Sequence, residues 1–246
     1  NCGDLNLSGE RRPQSYLRET LWSDAPVSHI VVTPPVPSFP LNPDKADWSV
    51  WDFPDVVDHW NFPGYEGKKM TVSVYSNCEQ VELFLNGESL GKQENTADKK
   101  NTLVWEVPYA HGILKAVSYN KGGEVGTATL ESAGKVEKIR LSADRTEIVA
   151  DGNDLSYITL ELVDSKGIRN QLAEELVEFS IEGDATIEGV GNANPMSIES
   201  FVANSRKTWR GSNLLVVRSG KSSGRIIVTA KVKALPVASI TITQKK

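Results

Sequence analysis

Several short stretches of this sequence hold residue types that could do chemistry, and each also has an ordinary structural reading. Gly220-Lys221-Ser222-Ser223-Gly224 offers the lysine and hydroxyls of a phosphate loop. It lacks the G-x-x-x-x-G-K-[S/T] spacing and a helix behind it, so it reads as a hairpin turn. Asp151-Gly152-Asn153-Asp154 supplies oxygens that calcium would accept, yet the remainder of an EF-hand loop is missing. The same residues are those that tight turns favour. His29, His59 and His111 are scattered, with no i, i+4 pair that could grip a metal from one helix face. Cys2 and Cys78 are too few for a disulfide framework and form no Cys/His cluster, so both are expected as free thiols and no metal or cofactor is expected. Carboxylates are plentiful, but they alternate outward along strands and none is marked as an acid/base pair, so no catalytic residue is assigned. That leaves Trp48, Trp51 and Trp60. Exposed indoles could stack on sugar rings, which makes these three the candidate carbohydrate-binding residues. Buried, they would anchor a segment that has no strand ladder of its own, and large aromatics more often do this.

The elements that must position these groups follow from pattern. The chain has 246 residues, 39% of them hydrophobic and 24% charged, with a net charge of −5. That length suits two domains, and the composition is that of globular cores. The acidic balance gives no electrostatic reason to expect nucleic acid as a partner. No apolar run approaches the ~20 residues that span a bilayer, and no signal peptide is visible at the start. Residues 13–22 read as one helix. Pro13 suits the first turn, and Tyr16, Leu17, Thr20 and Leu21 form one face. Arg11, Arg12, Arg18 and Glu19 are left for solvent or a polar neighbour, and Asp24-Ala25-Pro26 breaks the helix. A helix of this length is marginal alone and needs a surface to lie against.

After a short strand over 28–33, the prolines at 34, 35, 37, 40, 43 and 54 rule out a central strand, so the stretch from Thr33 to Gly64 reads as an extended linker. From Met70 the period becomes two. Met70, Val72 and Val74 share a face, as do Val81, Leu83 and Leu85, and Leu103, Trp105 and Val107. Asn86-Gly87 marks a tight hairpin and Lys121-Gly122-Gly123 a second. Beyond residue 134 come six more strand patterns, including Ile158, Leu160 and Leu162 in alternation, with Gly189 to Gly211 as an irregular crossing. The fold class is all-β: two tandem antiparallel immunoglobulin-like sandwiches preceded by one short helix.

Three segments carry a family resemblance. "GDLNLSGERRPQSYLRETLW" resembles the end of the catalytic barrel in glycoside hydrolase family 2 enzymes of the β-galactosidase type. "HWNFPGYEGKKMTVSVYSNCEQVELFLNGESLGK" resembles their accessory sandwich, and "KIRLSADRTEIVADGNDLSYITLELVDSKG", with "GVGNANP" and "RGSNLLVVRSG", resembles the bacterial Ig-like module that ends many of them. The resemblance implies that residues 1–24 are the remnant of the barrel with its last helix, 25–69 a strand and linker joining the first sandwich, 70–134 that sandwich, with 25–134 as one whole domain, and 135–246 the second. It implies that both catalytic carboxylates lie upstream, so that this chain alone is inactive. The partner is then the upstream barrel of the same polypeptide, with an oligo- or polysaccharide as a further possibility. Export to the periplasm or cell surface follows from the resemblance as well. A carbohydrate-binding module and an adhesin-like spacer are the competing readings.

Overall fold

In the computed structural model residues 3–38 and 54–246 are described. They divide into two compact units, one holding Glu10–Ser132 with the residues ahead of Leu7, the other Ala133–Lys246 with Leu7–Gly9.

The first unit begins with helix α1 (Pro13–Trp22) and then strand β1 (Ser28–Val32). The alternating segments form β2 (Lys69–Ser76), β3 (Gln80–Leu85), β4 (Glu88–Glu94), β5 (Thr102–Pro108), β6 (Ile113–Asn120) and β7 (Gly123–Glu131). They make two antiparallel sheets, β1-β2-β5 and β4-β3-β6-β7. The period-two faces meet between them: Met70, Val72, Val74, Leu103 and Val107 from one sheet, Val81, Leu83, Leu114 and Ala116 from the other, all buried. Asn86 and Gly87 both have positive φ, 52° and 89°, as a two-residue hairpin between β3 and β4 requires. Gly112 is there for space. A Cβ on it would lie 1.8 Å from Asn86 Oδ1, the oxygen that accepts the Ile113 amide.

The second unit contains β8 (Lys138–Ala143), β9 (Glu147–Val149), β10 (Leu155–Val163), β11 (Leu176–Glu182), β12 (Ala185–Gly191), β13 (Ser205–Lys207), β14 (Ser212–Ser219), β15 (Gly224–Val232) and β16 (Ala238–Lys245). They form sheets β12-β14-β10-β8 and β13-β11-β15-β16-β9 around a core that includes Ile158, Leu160, Leu162, Phe179, Leu215, Val228 and Ile242. Three strands exceed the sequence pattern. β9 and β13 are too short to show a period, and β12 is interrupted by a register shift between Ile187 and Gly189. β9 also departs from the antiparallel rule, pairing parallel to β16.

Helix α1 corrects one expectation. Its buried residues are Pro13, Gln14, Ser15 and Thr20. Leu21 is 65% exposed and Trp22 85%, so the helix lies on its sheet by a polar side and leaves its apolar end uncovered. Period alone nominated Leu21, but the hydrogen bonds available to Thr20 decided which side turned inward.

Candidate functional site

The sheet around β1 and β2 holds α1 by polar and aromatic contacts. The chain enters the helix with Arg12 extended and Pro13 in the first turn, where its missing N–H costs nothing. Asn6 and Glu10 exchange hydrogen bonds just ahead, and the Arg12 amide donates to the Asp4 carbonyl at 2.8 Å. The Asn101 side chain then donates to Thr20 Oγ1 at 3.0 Å and to the Thr20 carbonyl at 3.3 Å. Asn77 donates to the Ser23 and Ala25 carbonyls and accepts the Val27 amide at 2.7 Å. Two asparagines of the sandwich therefore take up one carbonyl of the last helical turn, that of Thr20, and those of Ser23 and Ala25 just beyond it.

Tyr16 completes the seam. Its ring stacks on His29 with centroids 3.5 Å apart and planes 9° apart, and the Arg11 guanidinium lies 4.0 Å from the Tyr16 centroid. Arg11 also pairs with Glu19 at 2.6 Å. His29 Nε2 is shut off from solvent with no hydrogen-bond partner. Burial pushes its pKa down to about 4; Arg11 pushes the same way, while Asp58 and Glu19 oppose it. The imidazole is thus neutral at pH 7. No group in this seam is arranged to react. What it can do is hold a helix whose exposed Leu21 and Trp22 present apolar area outward.

The residues nominated from sequence fall in different places. Trp60 is fully buried. Its Nε1–H donates to the Ala110 carbonyl at 2.8 Å, and its ring meets Tyr109 and Phe62 edge to face at 4.9 and 6.0 Å. No face of it is left for a sugar, and its role is the packing one. Trp48, Trp51 and Cys2 lie outside the described residues. Cys78 is a free, buried thiol. In Asp151–Asp154 the Asp151 carboxylate accepts the Asn153 and Asp154 amides at 2.8 Å each, which is turn chemistry. At 220–224 the Lys221 and Ser222 amides both donate to Asp184 Oδ2, so a carboxylate sits where a phosphate would have to. Among the described residues no group of three or more His, Cys, Asp or Glu could hold a metal, and no helix is long and apolar enough to cross a membrane.

Sequence reasoning missed Arg206. It is completely buried and donates to the carbonyls of Glu199 and Ser200 and to Ser197 Oγ, at 3.0 to 3.3 Å, with the Phe201 ring 4.3 Å from its guanidinium carbon. It fixes the loop between β12 and β13. A single arginine in a three-residue strand gives no sequence signal for this.

Comparison with known proteins follows the same division. Residues 139–241 match the family model described as glycoside hydrolase family 2 C-terminal domain 5. Residues 67–126 match a domain family of unknown function, DUF4982. The chain is 31% identical over 245 residues to the β-galactosidase BoGH2A of Bacteroides ovatus, covering 99% of this chain and 25% of that protein. It is 30% identical over 205 residues to a β-glucuronidase of Formosa agariphila, covering 80% of this chain and 20% of that protein. Among solved structures, a glycosyl hydrolase family 2 member from Bacteroides cellulosilyticus superposes with a TM-score of 0.93 at 95% identity, over 99% of this chain and 32% of that one. A β-glycosidase from Bacteroides vulgatus gives 0.83 at 26% identity, over 99% and 28%. The chain spans about a quarter of the length of the curated relatives it matches.

Proposed function

This chain belongs to glycoside hydrolase family 2 as a portion of its C-terminal region, and from that premise we propose that it is the non-catalytic brace of a larger, exported glycosidase that cleaves β-galactosides. In this reading α1 is the last helix of the catalytic barrel, and the seam around Tyr16 and His29 is where barrel and sandwich are spliced. The observation that carries the proposal is the uncovered apolar end of α1. A ten-residue helix is not stable by itself. This one is anchored to the sandwich by Thr20 and leaves Leu21 and Trp22 in water. Side chains of that kind are normally buried, and a barrel wall is the surface they would meet.

Hydrolysis with retention needs two carboxylates about 5–5.5 Å apart at the C-terminal ends of barrel strands. By resemblance those strands precede this chain. The β-galactoside substrate is proposed from the relative that aligns over 99% of the chain; the β-glucuronidase relatives supply the second substrate to test.

The test uses the full-length parent and the 246-residue chain side by side, on aryl β-galactoside and aryl β-glucuronide. The parent is expected to turn over the galactoside and the chain alone neither substrate. Leu21→Ser with Trp22→Ser should lower the parent's melting temperature by several degrees and leave that of the isolated chain almost unchanged. Hydrolysis by the chain alone, or a parent indifferent to both substitutions, would overturn the proposal.

A further inference from the structure

The outward face of the β4-β3-β6-β7 sheet is built differently from an ordinary wetted face. Strand alternation puts Gln80, Glu82 and Phe84 of β3 there, beside Ile113, Lys115, Val117 and Tyr119 of β6. The register pairs Phe84 with Lys115 and Glu82 with Val117, and on the other side Thr129 of β7 with Lys115. At one end the charges satisfy one another. Lys92 Nζ lies 3.5 Å from the Tyr119 ring centroid and 3.8 Å from Glu82, while Glu82 also accepts from Ser89 Oγ at 2.6 Å and from the Tyr119 hydroxyl at 3.4 Å.

Lys115 is not part of that group. Among the described residues it has no ion-pair or hydrogen-bond partner, and it stands in a concavity of about 460 Å³ lined by Phe84, Asn86, Gly87, Ile113 and Val117. That volume lies within the range of small-ligand sites, about 300–1,000 Å³. The rim is rigid. Asn86 accepts the Ile113 amide at 2.8 Å and donates to the His111 carbonyl at 3.2 Å, which locks the β3–β4 turn to the start of β6. An apolar lining that includes one lysine outside any ion pair is complementary to a ligand with an apolar face and a single negative charge beside it.

We propose that this face binds an oligosaccharide through a uronic acid residue, with the C–H face of the pyranose on Phe84 and its carboxylate on Lys115 Nζ. The choice of a sugar rests on the family reading above; the choice of an acidic one rests on Lys115. The geometry fits a carboxylate fixed directly to the ring. Directly paired residues on neighbouring strands hold their Cβ atoms about 4.5–5.5 Å apart, so a ring stacked on Phe84 brings a C5 carboxylate beside the lysine. Thr129 lies on the far side of Lys115, where a neighbouring sugar's hydroxyls would be met.

The experiment titrates the isotope-labelled 246-residue chain with trigalacturonate, with its methyl ester, and with a sulfated galacto-trisaccharide. Amide shifts are expected at residues 84–87, 113–117 and 127–129, with the ester bound about tenfold more weakly, as loss of a charge-assisted hydrogen bond implies. Lys115→Met keeps the aliphatic stem and should bring the uronate down to the ester's affinity. Phe84→Ala should abolish binding of both, and Phe84→Leu, which preserves the fold more safely, should weaken both. No shift on this face at millimolar sugar, equal affinity for acid and ester, or an unchanged K115M would each overturn the proposal. Tighter binding of the sulfated sugar would overturn its carboxylate assignment. Because binding is read on the chain itself, its failure leaves the glycosidase reading standing, and an inactive parent leaves the binding result standing.

Discussion

The two sandwiches close their ends with different chemistry. In the first unit the ends are stopped by aromatic rings and by asparagines: Trp60, Tyr109 and Phe62 meet edge to face, and Asn77, Asn86, Asn95 and Asn101 bridge backbone groups of loops and helix. In the second unit Asn170, Asn192 and Asn213 also bridge backbone groups, and turn carboxylates are added to them. Asp151, Asp154, Asp164 and Asp184 each accept two or more backbone amides in turns. An amide side chain donates and accepts, and it is neutral at every pH. A carboxylate only accepts and must be ionised to do it well. The lesson is that two folds of one class, in tandem in one chain, carry different sensitivities to packing defects and to acid.

The largest effect that would sharpen this contrast is Trp60→Ala. It empties a fully buried site in the first core and strands the Ala110 carbonyl. A loss of about 3–5 kcal/mol is expected. Hydrogen exchange should show it in amides of 28–131 and spare those of 138–245, since each unit has its own core. Equal loss of protection in both would break the comparison.

Next comes Asp164→Ala in the second unit. Burial raises the Asp164 pKa, but amides of Gly134, Ile168, Lys166 and Gly167 outweigh it and hold the carboxyl below its usual value. Removing the carboxylate orphans several of those donors, at about 2–3 kcal/mol, measured by urea unfolding. Asp164→Asn keeps one good acceptor oxygen and should recover part of the loss.

Acid separates the units without any substitution. His29 has its folded pKa lowered from 6.5 to about 4, so it is held neutral in the native state. Its contribution to stability is therefore complete above pH 6.5 and is lost as pH falls from there towards 4, by about 3 kcal/mol in all. The turn aspartates have folded pKa values lowered from 3.8, so their contribution is kept until pH falls below that and is lost through the folded values. Near pH 5 the protection of α1 and β1 should already have dropped while that of β10 and β14 is intact. His29→Phe keeps the stack on Tyr16 without the proton, and it should flatten the first unit's response between pH 6.5 and 4. A first unit whose loss persists in H29F would mean that the histidine is not its source.

The readability of these features in the sequence differs for a physical reason. The long strands were legible because burial on one face imposes a period of two, as with Met70, Val72 and Val74. The hairpin at Asn86-Gly87 was legible because few other residue pairs adopt its φ values. The inward side of α1 was not, because Leu21 and Thr20 are adjacent in the pattern and only the position of Asn101, 81 residues away, decides between them. Arg206 was illegible for the same reason: its partners are loop carbonyls, which carry no residue identity. The unpaired state of Lys115 depends on which carboxylates the register brings near, and alternation shows only that it shares a face with Ile113 and Val117.

The smallest expected effect tests whether charge at the surface of the second unit matters apart from the turn carboxylates. Lys245 and Glu147 pair at 2.7 Å across the parallel β9–β16 contact, but their side chains are 60% and 62% exposed. Exposed pairs contribute little, because water screens the attraction and two long side chains lose freedom to make it. The contact is also held by backbone bonds, Ala150 N–H to the Lys245 carbonyl at 2.7 Å and Thr243 N–H to the Thr146 carbonyl at 2.8 Å, that neither substitution touches. Lys245→Met and Glu147→Gln, alone or together, should therefore change stability by less than about 0.5 kcal/mol, with a coupling near zero in the double-mutant cycle. A coupling above about 1 kcal/mol would mean that β9 is held to its sheet by charge, and the short parallel strand would then join the turn aspartates as an acid-sensitive part of the second sandwich.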